Sequence, residues 1–155
     1  MHLTFRDDCY TIHITGAWKT KDGELMILKI DFNSDEAFYL QLCNQIILGI
    51  ATEAICEGDA LPSVRTLADQ IGINMHTVNK AYSILRQEGF VKLDRRKGAV
   101  IALDINKIQA IEELRQNLSV VLARGICRDV SRSEAHQLVD EIYDLFSKGS
   151  GVRAE

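Results

Sequence analysis

Two short amphipathic stretches meeting at one glycine constrain this chain more than any other feature. Ser63 stands where a hydroxyl caps the free N–H groups of a first helical turn. Val64, Leu67, Ala68 and Ile71 follow as one apolar stripe. Gly72 is placed to end that helix in left-handed backbone, and Ile73 plugs the turn. Asn74 caps a second stretch running to about Glu88, with Val78, Ala81, Tyr82 and Leu85 facing inward. So tight a turn fixes the angle between the two helices, and both stripes need a further element to pack on.

The flanking text supplies that element. Phe38 to Cys56 reads as a long helix, with Leu40, Leu42, Ile46, Ile47, Ile50, Ala54 and Ile55 at helical spacing. Asn33, Ser34 and Asp35 offer caps before it, and Glu57-Gly58-Asp59 ends it. After Gly89, two apolar runs, Phe90–Leu93 and Ala99–Leu103, enclose Asp94-Arg95-Arg96-Lys97-Gly98 and predict a β-hairpin. Helix, short helix, tight turn, helix and basic hairpin make a winged helix-turn-helix, in a chain of α+β class that is mainly helical.

The two ends read differently. Tyr10 to Thr15 alternates as a strand, with Gly16 ending it and a polar stretch from Lys19 to Glu24. Met26 to Asp31 reads as another short strand. Residues 1–25 are an N-terminal extension of unclear role, either an added leader or an over-long start. Residues 26–103 form the winged helix-turn-helix domain. Residues 104–147 form a two-helix region, and 148–155 a frayed tail. The first of the two helices runs from about Ile105 to Ala123, with Ile108, Ile111, Leu114, Leu118, Val121 and Leu122 on one face and Gly125 breaking it. Ser131-Arg132-Ser133-Glu134 has capping-box spacing, and Leu138, Val139, Ile142, Leu145 and Phe146 line the last helix. Two helices cannot bury that much apolar surface on each other, so a two-fold interface with a second copy is expected.

Charge points to the partner. The 155-residue chain carries a net charge of -4. From Arg65 to Lys97, however, Arg65, Lys80, Arg86, Lys92, Arg95, Arg96 and Lys97 face only three acids, Asp69, Glu88 and Asp94. A local positive field of this kind attracts a polyanion whatever the total charge. A helix fits the major groove of duplex DNA, where base edges present a distinguishable donor and acceptor pattern.

Other classes find little support. There is no P-loop, G-x-S-x-G, H-E-x-x-H or pair of carboxylates in a plausible cleft, so no enzyme is expected. Cys9, Cys43, Cys56 and Cys127 are dispersed, as are His2, His13, His76 and His136, so neither a metal site nor another cofactor is expected. No apolar run approaches the roughly 20 residues of a membrane span. The charged start, with Arg6, Asp7 and Asp8, is unlike a signal peptide, and a cytoplasmic location without membrane contact follows.

Several motifs hold register at once. Leu61-Pro62-Ser63-Val64-Arg65-Thr66-Leu67-Ala68 matches L-P-S-x-R-x-L-A, and Ile71-Gly72-Ile73-Asn74-Met75-His76-Thr77-Val78 resembles L-G-V-x-x-x-T-V, with isoleucine for its leucine and valine. Lys80-Ala81-Tyr82, Leu85, Glu88-Gly89-Phe90 and Lys97-Gly98 continue the pattern. Over residues 26–103 the chain resembles the GntR family of bacterial transcription regulators. The short two-helix tail and Ala81-Tyr82 resemble its YtrA subfamily. The resemblance implies a homodimeric repressor, often of operons for ABC-type transporters. It departs from the family at Met75, where many relatives carry an arginine that reads guanine, and at Asn79, an arginine in some branches.

The candidate DNA contacts are Ser63 and Arg65 at the start of the first short helix, Met75, His76, Thr77, Asn79 and Lys80 on the second, and Arg95, Arg96, Lys97 and Gly98 in the hairpin. Asn79 suits adenine, Lys80 suits phosphate or guanine, and Gly98 answers a backbone requirement. The expected partners are double-stranded DNA and a second copy of the chain. A small-molecule effector would need a pocket between subunits, since two helices hardly enclose the usual ~300 Å³. The alternative is a winged helix used only for protein interaction, which has no need of the charge excess.

Overall fold

The computed structural model describes residues 13–19, 25–103 and 106–147. Strands β1 (His13–Lys19) and β2 (Leu25–Asp31) come first, then helices α1 (Phe38–Ala51), α2 (Val64–Ile71) and α3 (Met75–Gln87). The hairpin β3 (Val91–Asp94) and β4 (Gly98–Ile101) follows, then helices α4 (Lys107–Ile126) and α5 (Arg132–Ser147). This is a mostly helical α+β chain that divides into two compact units after Leu103. The readings of Tyr10 to Ile12, of 20–24, of Ile105 and of the 148–155 tail lie outside the described residues.

In the first unit the helices converge as their stripes require. Leu42 and Ile46 of α1, Leu67 and Ile71 of α2, and Val78, Ala81 and Leu85 of α3 are fully buried together. β2 alternates as a half-buried strand, placing Leu28 and Ile30 in the same core while Ile27 and Lys29 face out. β1 pairs antiparallel with β2 along its length, from His13 opposite Asp31 to Lys19 opposite Leu25. Gly16 therefore lies inside a strand, opposite Leu28, and does not end one.

Two glutamines one turn apart on α1 bind the main chain of β2. Gln45 Oε1 accepts from Lys29 N (2.8 Å), and its Nε2 donates back to the Lys29 carbonyl. Gln41 is buried; its Oε1 accepts from Asp31 N (2.9 Å), and its Nε2 donates to the carbonyls of Asp31 (3.0 Å) and Glu36 (2.9 Å). A buried amide is tolerated because its polar atoms are paired.

α1 departs from expectation at both ends. Its N-cap is Ala37, without a side-chain cap bond, while Asp31 and Ser34 direct their oxygens to the turn before it, accepting from Asn33 N and Glu36 N. The helix stops at Ala51 instead of Cys56. Glu53 takes left-handed backbone (φ 59°), and Ile55 N donates to the Gly49 carbonyl (3.0 Å). Ile55 has helical spacing yet reaches the core by folding back over Gly49, where a Cβ would stand 2.8 Å from Ile55 Cδ1. A side chain at this position would have to displace Ile55 or Met26.

The segment before α2 also joins the hairpin. Gly58 N donates to Ile101 O, Ile101 N to Asp59 O and Leu61 N to Ala99 O, with Ala60 bridging Val100. The wing sheet thus gains a third, short edge that no alternation announced.

The second unit has a different character. Asn106 caps α4 by accepting from Gln109 N (3.2 Å). Gly125 does not break α4 but lies within it, and the chain reverses at Asp129 (φ 65°), with Val130 N donating to the Gly125 carbonyl (3.0 Å). Val130 packs beside Gly125, where a Cβ would meet it at an ordinary contact distance of 3.5 Å. Ser131 and Glu134 form the expected reciprocal cap on α5. α4 and α5 do not pack along each other, and none of the unit's described residues is buried.

Candidate nucleic-acid interface

The reading surface is assembled by caps and one long-range bond. Ser63 Oγ accepts from Thr66 N (3.1 Å) and fixes the start of α2. Gly72 carries the left-handed turn (φ 66°), and Asn74 Oδ1 accepts from His76 N (2.8 Å) to start α3. Tyr82 crosses from α3 to donate its hydroxyl to the Pro62 carbonyl (2.9 Å). Burial pushes the Tyr82 hydroxyl pKa upward, so it remains a donor at neutral pH.

On α3 the inward set leaves Met75, His76, Asn79 and Lys80 exposed, with Thr77 half-buried. Lys80 is not free: its Nζ lies 3.6 Å from the centroid of the Tyr39 ring on α1, a cation–π contact. Arg65 is exposed at the first turn of α2. The hairpin turn projects Arg95, Arg96 and Lys97, all exposed. Asp94 holds that turn, its Oδ1 accepting from Arg96 N (2.8 Å) and Lys97 N (2.9 Å). These bonds, the one from Lys97 first, hold the Asp94 carboxyl below its ordinary value. Gly98 has φ 79°, left-handed backbone that glycine adopts without strain.

Some of these residues converge and others do not. Ser63, Asn79 and Gly98 line one open groove of about 260 Å³ between the start of α2, the outer side of α3 and the wing. Ser83, Arg86 and Leu93 line it too, and none of the three is among the sequence candidates. The signal for two of them was available: Ser83 and Arg86 stand four and seven residues after Asn79, on one helical face. Met75, His76 and Thr77 lie at the start of α3, Lys80 is turned to α1, and Arg95 to Lys97 occupy the hairpin tip.

Comparison with known proteins decides the family. The model for bacterial regulatory proteins of the gntR family matches residues 38–101. The HTH-type transcriptional repressor YtrA of Bacillus subtilis is 37% identical over 120 residues, 75% of this chain and 92% of that protein. YtrA from Sulfolobus acidocaldarius, a GntR-family transcription factor, superposes with a TM-score of 0.55 at 37% identity, covering 64% of this chain and 97% of that one. A transcriptional antiterminator from Listeria monocytogenes gives a TM-score of 0.69 at 27% identity, covering 81% and 95%. The chain belongs to the GntR family. It is a YtrA-like member, a transcriptional regulator with a winged-helix DNA-binding domain. Within this GntR regulator the family match spans α1 to β4 and leaves β1, β2, α4 and α5 outside it. Among the described residues, no helix is long and apolar enough to cross a membrane.

Proposed function

We propose that this GntR regulator is a homodimeric repressor that binds an inverted-repeat operator. One observation carries the reading: Ser63, Asn79 and Gly98 line one groove between the start of α2, the outer side of α3 and the wing, and no acidic residue lines it. α3 enters the major groove, where Met75, His76, Thr77 and Asn79 meet base edges. Ser63, Arg65, Lys80, Arg95, Arg96 and Lys97 meet phosphate, with Gly98 shaping the wing. Lys80 does so from its seat on Tyr39. Met75 has no hydrogen to donate, so the half-site differs from one read by arginine there.

The dimer rests on α4 and α5, where Ile108, Leu114, Leu138 and Ile142 stand exposed. A two-fold pair of readers sets half-site centres about 10 bp apart, or a multiple of it. The YtrA relative is named a repressor, which supports repression here; the resemblance to that subfamily makes transporter operons the first genes to inspect.

The experiment is selection of bound genomic fragments, followed by randomised-site selection on the natural protein and on Asn79→Ala and Met75→Arg. The expected result is an inverted repeat, with preference relaxed at one base position per half-site in Asn79→Ala, by roughly 1–3 kcal/mol for a bidentate contact. Identical base weights from all three proteins would show that α3 is not the reader. Recovery of no DNA at any salt concentration would favour a protein-interaction module.

A further inference from the structure

The groove beside α3 has a chemistry of its own. Its floor is apolar, with Val64, Tyr82 and Val91, while Ser83 and Arg86 stand on the α3 wall and Leu93 on the wing. No acidic residue lines it. Arg86 is exposed and has no ion pair among the described residues. Leu93 is 66% exposed, although it belongs to a strand.

Duplex geometry says what passes here. The major and minor grooves are separated by one sugar–phosphate strand. A protein that lays a helix in one groove and a hairpin on the next must straddle that strand. The surface between helix and hairpin then faces deoxyribose and phosphate, not base edges.

We infer that this groove seats the sugar–phosphate strand of the operator, with Arg86 binding a phosphate and Leu93 packing on deoxyribose. The inference rests on the DNA-binding reading above and adds residues to it. Arg86 supplies a charge-assisted contact whose planar fork matches two phosphate oxygens at once. Ser83, one turn before it, supplies a hydroxyl donor to the same strand. Asn79, at the end nearer the start of α3, marks where backbone contact gives way to base contact. Contacts to phosphate carry affinity without sequence information.

The test uses the intact protein and a fluorescently labelled duplex carrying the selected operator, titrated at several salt concentrations. Arg86→Ala should weaken selected and random duplexes alike, and reduce the slope of log K against log salt by about 0.9 for each protomer bound. Arg86→Lys should restore the slope, since the charge returns. A series of duplexes with single neutral methylphosphonates should reveal one phosphate per half-site whose loss weakens the natural protein but not Arg86→Ala. Leu93→Ser should weaken binding with the slope unchanged. Circular dichroism confirms that each variant is folded. If the natural protein binds the operator while Arg86→Ala keeps its slope and its response to every methylphosphonate, the groove assignment is overturned and the DNA-binding reading stands. If the natural protein binds no duplex at all, that reading falls first.

Discussion

α3 and α5 are helices of similar length, each starting at a side-chain cap, yet their apolar faces meet opposite fates. Val78, Ala81 and Leu85 of α3 are fully buried in the core of the first unit. On α5, Leu138 is 54% exposed and Ile142 50% exposed; on α4, Ile108 is 84% exposed. Propensity and capping alone leave helices of this length marginal in water, and packing supplies the remainder. The first unit contains its own packing. The second does not: none of its described residues is buried, and exposed apolar side chains on this scale are what the proposed dimer would cover.

The largest effect comes from breaking the second unit. Replacing Leu138 and Ile142 together by Asp should convert a species of twice the chain mass into a monomer in sedimentation at micromolar concentration. Helical signal should fall as α4 and α5 melt. Operator affinity should drop by about 10²–10⁴, the gain normally supplied by linking two reading heads. The first unit should keep its own unfolding transition. A monomer with undiminished affinity would remove the dimer from the mechanism.

The converse change strikes the first unit. Leu85 is fully buried in the core formed by all three helices. Leu85→Ala should destabilise that unit by about 2–5 kcal/mol, through the transfer energy of the missing methyls and the cavity left behind. Denaturant unfolding measures the change. Sedimentation should still report two chains, because α4 and α5 are untouched.

The same contrast explains what the sequence disclosed. α2, its turn and α3 were legible because each is bounded by a residue with a single local reason: Ser63, Gly72, Asn74 and Gly89. The hairpin was legible for the same reason, its apolar runs pointing to each other across Gly98. The end of α1 was not, because Ile55 satisfies helical spacing and burial at once, yet the chain turns through left-handed Glu53 and folds back over Gly49. Gly125 misled in the opposite way, lying inside α4 instead of ending it. The 58–61 edge of the wing sheet rests on backbone bonds to β4, which no side-chain pattern encodes. At the candidate interface the cations were legible by type. Their placement was legible only in part: Arg86 shares a helical face with Asn79, but Lys80 is drawn to Tyr39, and the groove that Arg86 lines exists only with the wing beside α3.

A smaller effect belongs to the wing. Replacing Arg95, Arg96 and Lys97 together by Ala should weaken binding to all sequences equally and lower the salt slope by about 0.9 for every phosphate no longer neutralised. Stability and oligomeric mass should stay unchanged, since these side chains are exposed and make no ion pair among the described residues. An unchanged slope would mean that the turn points away from DNA.

The finest test places one carboxylate in each unit. Asp94 accepts two backbone N–H bonds in the wing turn, and Glu134 accepts from the Ser131 hydroxyl (2.7 Å) and N–H (2.8 Å) at the start of α5. Hydrogen bonding to the charged form lowers both, Asp94 from an ordinary 3.8 and Glu134 from 4.5. A carboxyl lowered by folding stabilises above its unfolded pKa, and the stabilisation is lost as pH falls through the folded one. Both caps should therefore hold at neutral pH and release in acid, below those ordinary values. Carboxyl chemical shifts followed by NMR across that range give the two midpoints. In the natural protein both should lie below the ordinary values. In the Leu138→Asp, Ile142→Asp variant, Glu134 should return to its ordinary value as α5 melts, while Asp94 keeps its lowered midpoint. If Glu134 stayed low in a proven monomer, α5 would be stable on its own cap, and the exposed face would not be what holds the helix together.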